Sequence, residues 1–532
     1  MKRFVLSIVG IAFISLFLVG IQINPSIGAT PDDTLVIGFS RAHQSLYPGT
    51  TTGLADIWAN MLLYDSLVIH DSEGKIHPGL AKRWEVSKDG LTWIFYLRED
   101  VKFHSGRKFT ANDVKAHFEN WKNLATAKKI EALDRTEVVN DYTVRFILKH
   151  PTLVWLLMIS QTEWSYSGIP DSEAVKKYGK DYGVIPESVS GTGPFKLTKW
   201  VRGDRLEFVR NPDYTWGPAF YKNRGPAHIQ KVIIRTLPEA ASRTAALERR
   251  EIDLDTSLSE KDAPRLAKLK GMNIIVKPKN TIHHLGFNHK RPIWNDLGVR
   301  QALMHGVNQD VIVDVVYNGY GKKSIGIWGE SVEGHTPKAE MAKIALGYNP
   351  QKAKQLLDEA GWKMASDGIR RKEGKPLSFT VYIYTEYQAN LMTVIKEQWR
   401  EIGADATIRQ MEWAGYLNAM KAAEHDMYYI DGTHHTADIA YWFTCNAIPF
   451  PNSLHWCDPA TEKSFEITQK TLVNQERVKA FQDIEKDFMN RAVLIPMPHT
   501  LWMIGAWDYI KDLDIHPVHG YYKLMDVKKS AK

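Results

Sequence analysis

The run from Gly432 to Asp438 reads Gly-Thr-His-His-Thr-Ala-Asp, and it sets imidazoles, hydroxyls and a carboxylate side by side. Imidazole is the commonest metal ligand and a proton carrier near neutral pH. His425 and His455 lie close in the chain to His434 and His435, so metal chemistry is the first possibility to weigh. Adjacent residues on an extended chain point to opposite faces, so His434 and His435 do not converge on one ion. Cys445 and Cys457 are the two cysteines of the chain, and their spacing fits no zinc pattern. They form a disulfide or remain as two buried thiols. Catalytic signatures are missing: no nucleophile elbow, zinc-helix motif, phosphate loop or dinucleotide fingerprint stands in a suitable context. Gly191-Thr192-Gly193-Pro194 is no phosphate loop, because Pro194 lacks an amide donor and no Lys-Ser/Thr follows. These residues point to binding without turnover, with no cofactor and no catalytic residue.

Strands and helices that would carry such a site are legible in places. Thr34 to Phe39 reads as a short strand. Around Asp89-Gly90 the chain reads as a hairpin, with Trp84 and Val86 alternating before the turn and Trp93, Phe95 and Leu97 after it. Thr110 opens a helix, Asp113 sits where a capping-box acid belongs, and Val114, Phe118 and Trp121 form one apolar face. Asn349-Pro350 starts another helix, with a stripe of Ala353, Leu356, Leu357 and Ala360 that ends at Gly361. Strands and helices in alternation argue for α/β layers.

The 532 residues hold 44% hydrophobic and 24% charged side chains, enough apolar material for several cores. The net charge of +7 comes from 68 basic residues interleaved with 61 acidic ones. No basic block long enough for nucleic-acid binding stands out. Lys2 and Arg3, an apolar run from Phe4 to Ile23, Pro25, and small residues up to Ala29 give the layout of a secretory signal peptide. Cleavage would leave a chain starting near Thr30 or Pro31. Retention as a membrane anchor is the rival, since the apolar run is long. No cysteine stands near the cleavage point for lipid attachment, and no later segment is apolar enough to span a bilayer. Export to an oxidising compartment favours the Cys445–Cys457 disulfide over free thiols.

The stretch Pro78-Gly79-Leu80-Ala81, Trp84-Glu85-Val86-Ser87, Asp89 to Trp93, Leu97-Arg98, Val101 to Gly106 and Thr110 to Val114 resembles the signature of the family-5 extracellular solute-binding proteins. Gly191 to Phe195, Arg210 to Tyr214, Leu285 to Asn288, Val299 to Leu303 and Asn349 to Trp362 are similar to further family segments, in order along the chain. The resemblance implies an α/β, two-lobed periplasmic-binding-protein fold (type II, cluster C) with an extra domain inserted in the first lobe. It places lobe 1 at 30–65, 190–282 and 495–532, the inserted domain at 66–189 and lobe 2 at 283–494. The chain would cross near Thr281-Ile282-His283-His284 and near Ile495-Pro496, making a hinge. The implied role is a periplasmic, monomeric receptor of an ABC importer. It would capture a peptide or similar small ligand and hand it to an inner-membrane permease. A receptor for a metal chelate or haem, or a sensor or chaperone, is the alternative on the same fold.

The same resemblance nominates contacts. Thr52-Gly53-Leu54 corresponds to an extended segment beside the ligand, where backbone groups pair with ligand amides. Trp413 resembles a pocket-wall tryptophan, and Tyr384 a ligand-contacting tyrosine that strand packing beside Tyr382 explains equally well. In peptide-binding relatives the segment at Gly432 carries a tryptophan and then an aspartate that holds the ligand ammonium. Here Thr433 and Thr436 stand at those positions. Asp438, two residues on, and His434 remain candidates, and a simple peptide ligand is put in doubt.

Overall fold

The structure is a computed structural model that describes residues 30–51, 53–72, 75–161, 166–330, 332, 334–433, 442–518, 520 and 523–530. The leader expected over 1–29 lies outside them.

Thr34–Phe39 is a strand buried along its whole length, as befits a strand covered on both faces. It runs parallel to Lys231–Thr236 on one side and to Leu254–Asp255 on the other. The complete sheet has seven strands in the order Met272–Pro278, Leu501–Trp507, Leu254–Asp255, Thr34–Phe39, Lys231–Thr236, Arg205–Arg210, Phe195–Val201. The hairpin read at Asp89-Gly90 is present as Ala81–Val86 paired with Thr92–Leu97. Gly90 adopts a φ of 71°, which glycine tolerates best. Thr143–Leu148 and Leu133–Asn140 extend this hairpin to four strands.

Helix Ala111–Trp121 covers the four-stranded sheet with Val114, Phe118 and Trp121 buried, and its capping box between Thr110 and Asp113 is complete. Asp113 also pairs with Arg107, whose guanidinium reaches Asp171 at 2.7 Å. One continuous hydrophobic core serves both the seven-stranded and the four-stranded sheets.

A second core surrounds a five-stranded sheet ordered Asp405–Gln410, Ser378–Ile383, Met427–Thr433, Thr281–Phe287, Leu494–Pro496. Helix Pro350–Glu359 packs there through Ala353 and Leu357, with the Asn349 side chain accepting from the Lys352 amide at 2.9 Å. A disulfide joins Cys445 and Cys457, whose Cα atoms are 4.9 Å apart.

The chain passes between the cores on adjacent strands. Met272–Pro278 and Leu501–Trp507 pair in the first sheet, and Thr281–Phe287 and Leu494–Pro496 pair in the second. The passages are therefore Lys279-Asn280 and Met497 to Thr500. Thr281 to His284 already lies inside the second sheet, just past the passage. The bodies touch again at Leu472, which packs against the first core beside Gly90 and Pro151. There the Leu153 amide donates to the Thr471 carbonyl at 3.4 Å.

The first body is drawn together by Asp65. Its carboxylate takes Lys523 Nζ at 2.7 Å, Thr192 Oγ1 at 2.9 Å, Trp216 Nε1 at 3.0 Å and Tyr214 OH at 3.2 Å. Lys523 is fully buried and also donates to the Tyr64 carbonyl at 2.7 Å. Gly191 and Gly193 let the turn close on the end of helix Leu54–Leu63. A Cβ at either would come within 2.5 Å of the Leu63 or Leu62 carbonyl oxygen.

Lys523→Met leaves a buried carboxylate without its cation. Breaking such a pair costs about 3–5 kcal/mol, so the thermal midpoint of the variant is expected to fall steeply. An unchanged midpoint would show that Asp65 is satisfied by its neutral donors alone.

Candidate functional site

Strand Met427–Thr433 supplies the centre of the site. Its residues Met427 to Ile430 are buried, and Asp431 emerges half-buried at the end of this apolar run. Asp431 stands opposite His283 in the ladder, beside the first passage. Its Oδ1 accepts from Tyr384 OH at 2.7 Å and from Gln388 Nε2 at 3.0 Å. Both donors are placed by the helix Glu386–Glu401 and the loop before it, where Gln388 Oε1 also accepts from the Tyr384 amide at 2.9 Å. Oδ2 has no hydrogen-bond partner among the described residues. The carboxylate is thus fixed in orientation with one oxygen free.

Aromatic rings wall this carboxylate. Tyr384 lies 4.7 Å from Trp413 and 4.9 Å from Tyr416, and Trp413 and Tyr416 stack at 5.6 Å. Trp413, the first residue of helix Trp413–Lys421, keeps 44% of its surface exposed. A large indole left open beside a buried stack is available for apolar contact. Tyr317 and Tyr387 form a second pair at 5.8 Å. Burial raises the hydroxyl pKa values of Tyr317, Tyr384 and Tyr387, and the Asp431 charge pushes them further up. These phenols are donors, not bases.

The first body contributes Glu260, Arg41 and Trp502, and the passage contributes Lys279. Lys279 Nζ lies 4.7 Å above the Trp502 ring. Burial lowers the Lys279 pKa; Asp431 and Glu260 act against that, while Arg41 adds to it. Glu260 also acts on Tyr317 and Tyr387 across the gap between the bodies. Arg41, Glu260 and Lys279 form no ion pair among the described residues, whereas Asp171, Asp253 and Asp255, buried in the first body, each have a cation. Two cations and two carboxylates therefore converge unpaired between two bodies, beside exposed aromatic surface.

Of the residues nominated from sequence, Tyr384, Trp413 and Gly432 fall here. Gly432 points to the face opposite Asp431, because neighbours alternate on a strand. Gly53 caps helix Leu54–Leu63 with an extended backbone, φ −70°. The extended run expected there stops at Gly53, since Leu54 is already helical and its side chain rests on the first core. Thr52, His434, Thr436 and Asp438 lie outside the described residues, as does His435. Asp431, Glu260, Lys279 and Arg41 were not nominated. For Asp431 a signal existed: a single acid in the apolar strand Met427–Thr433, directly before the glycine that was read.

No group of three or more His, Cys, Asp or Glu side chains arranged to hold a metal exists among the described residues. A cavity of about 40 Å³ beside the second passage is lined by Ser324, Trp328, Glu485 and His499. It is far smaller than the several hundred Å³ a small-molecule site requires.

Two lobes joined by paired strands, with open charge and aromatic surface between them, define the type II periplasmic-binding-protein architecture. The profile of the bacterial extracellular solute-binding proteins, family 5, matches residues 75–445, and the chain belongs to that family. A putative ABC transporter peptide-binding protein of Brucella ovis is 30% identical over 364 residues, 66% of this chain and 64% of that one. The chain thus matches just under two thirds of the length of that relative. The dipeptide-binding protein of Escherichia coli is 26% identical over 525 residues, 92% of this chain and 93% of that one. HbpA2 from Haemophilus parasuis superposes with a TM-score of 0.80 at 24% identity, covering 94% of this chain and all of that one. The resemblance and the type II, α/β fold class read from sequence are borne out. No helix of the described residues is long and apolar enough to cross a membrane.

His499 stands in the second passage, with its Nδ1 3.2 Å from Thr281 Oγ1 and its Nε2 3.0 Å from Ser324 Oγ. Burial holds its pKa down at about 4. In the unfolded chain imidazole titrates near 6.5. Between those values the unfolded chain takes up the proton and the folded one does not, so stability falls as pH drops through this window, by about 1.4 kcal/mol per unit for such a group. His43, His289, His425 and His455 are held down by burial in the same way. The melting temperature is expected to fall from pH 6.5 to pH 4, and less steeply in His499→Asn. An equal slope in that variant would remove His499 from the effect.

Proposed function

We propose that this protein is the soluble receptor of an ABC importer. It is exported to the periplasm, traps a peptide or similar small polar ligand between its lobes, and delivers it to an inner-membrane permease without chemical change. The observation that carries this reading is the set of unpaired charges of both signs, drawn from both bodies, beside the open face of Trp413. A site that leaves such groups unmatched gains most when a ligand matches them. The peptide-binding relatives from Brucella ovis and Escherichia coli support the ligand class.

On this reading lobe 1 comprises 30–65, 190–282 and 495–532, with 66–189 as its inserted domain, and lobe 2 comprises 283–494. Tyr384 and Trp413 contact the ligand from lobe 2, and Gly53 lies on the facing side. Contacts made to both lobes at once favour the shut arrangement, so ligand shifts a two-state equilibrium.

Mass spectrometry of material released on denaturing the purified protein should reveal a bound species of a few hundred daltons. Adding that species to stripped protein should reduce the radius of gyration in solution scattering. A protein that releases nothing, and whose melting point no pool of peptides, opines or sugars raises, would refute the receptor reading. Trp413→Ala should weaken binding by about 1–3 kcal/mol, the value of an apolar face buried against ligand. Unchanged affinity in calorimetry would take Trp413 out of the site.

A further inference from the structure

Helices Pro459–Lys470 and Asn474–Asn490 form a hairpin rooted in the second core by Phe465, Phe481, Ile484 and Phe488. Its tip, residues 471–473, is braced from within. Thr471 Oγ1 donates to Glu476 Oε2 at 2.8 Å and accepts from the Val473 amide at 3.1 Å. From this tip Leu472 packs on the core of the other body. There it meets the Asp89-Gly90 turn and Pro151. A Cβ added at Gly90 would lie 2.5 Å from Leu472 Cδ1 and 2.8 Å from Pro151 Cβ. The contact also serves carbonyls at the end of the first helix of the hairpin, which have no partner inside it. The Gln469 carbonyl accepts from Thr152 Oγ1, and the Thr471 carbonyl from the Leu153 amide at 3.4 Å.

Tyr320 is the other apolar side chain of the second body set on the first core among the described residues. It stands two residues before Lys322, which bridges to His499 in the second passage, so it belongs to the hinge. Leu472 belongs to no ladder and no passage. A body that turns about Lys279-Asn280 and Met497 to Thr500 carries the hairpin tip with it, and a contact without slack at Gly90 parts as it turns. The contact bears no charge. Water serves its donors and carbonyls once it opens, so parting costs little beyond exposure of the leucine.

We infer that the tip 471–473 is a latch, docked on the Asp89-Gly90 turn and on Pro151 to Leu153 only while the lobes are shut. This deepens the receptor reading and rests on it. Contacts from the ligand to both lobes then supply one part of what holds the shut form. Leu472, outside the candidate site, supplies another. Affinity is set in part by residues that touch no ligand, and loss of the latch weakens every ligand by the same factor, whatever its chemistry.

The test compares three forms of the full protein, each freed of ligand by unfolding and refolding. They are the wild type, Leu472→Asp, and a double variant Pro151→Cys, Leu472→Cys. The new thiols of the double variant are joined after refolding by a short bismaleimide, which leaves the Cys445–Cys457 disulfide intact. Solution scattering on the empty proteins is expected to give a smaller radius of gyration for the joined form than for Leu472→Asp, with unchanged circular dichroism spectra. Equal radii for these two overturn the latch, because the lobes then lie equally close with the contact locked or removed. A casein digest of di- to pentapeptides is the second probe, with retention read by mass spectrometry. Leu472→Asp should bind about tenfold more weakly than the wild type, Leu472→Met should restore most of the loss, and the joined form should take up no peptide. Wild-type affinity in Leu472→Asp, or wild-type uptake by the joined form, overturns the latch and leaves the receptor reading standing. No retention by the wild type, in a protein that also purifies empty, sinks the receptor reading itself, and the radii still decide whether the tip parts from the first body.

Discussion

The side-by-side passage of two strands from one buried core to another is the constraint on which the molecule depends. Met272–Pro278 and Leu501–Trp507 are paired over seven residues before they leave the first sheet. The strands that receive them, Thr281–Phe287 and Leu494–Pro496, are paired again at once. Between these ladders the Asn280 amide donates to the Pro517 carbonyl, the Met497 amide to the His283 carbonyl, and His499 forms a two-bond bridge with Lys322. Rigid ladders on each side of a short passage concentrate bending in a few residues, the usual anatomy of a hinge. His499, in the second passage, reaches Thr281 just past the first passage and Ser324 in the second body.

The same geometry decides where charge can remain unmatched. Inside either core an unpaired carboxylate would be costly, and the buried acids there are paired or tied by several donors. Asp65 shows how thoroughly, with one cation and three neutral donors around it. In the gap between the bodies, water can reach the side chains and the cost is lower. Arg41, Glu260, Lys279 and Asp431 occupy that gap. The Leu472 contact with Gly90 and Pro151, far along the chain from the passages, sets how closely the bodies lie on the other side. Besides the passages, the bodies meet through Tyr320 and Leu472, both packed against the first core.

Local features of the fold were legible because their causes are local. The Asp89-Gly90 turn, the Thr110–Asp113 capping box and the Asn349-Pro350 helix start each need only residues a few positions apart. The glycines at 191 and 193 were noticed as part of a pattern, but their physical reason, the Leu62 and Leu63 carbonyls, lies more than a hundred residues away. The site was legible in part for the same reason. Trp413 and Tyr384 stand in segments with recognisable neighbours. Glu260 and Lys279 look like any of the chain's 129 charged residues, 68 basic and 61 acidic, until folding sets them together beside the passage. Asp431 carries only a weak local signal, a lone acid near the end of the apolar strand Met427–Thr433, five residues before the uncharged Thr436.

Pairing in sequence-distant space also bears on how a receptor of this kind discriminates. A charge exposed to water gains about 1 kcal/mol from a partner at 4 Å, and one near a protein surface of lower effective dielectric about 4 kcal/mol. Asp431 is half-buried, with Oδ1 already bonded and rings on one side, so a group that covers Oδ2 removes its remaining water. The gain from matching its charge grows as that water is lost, and so does the penalty for failing to match it.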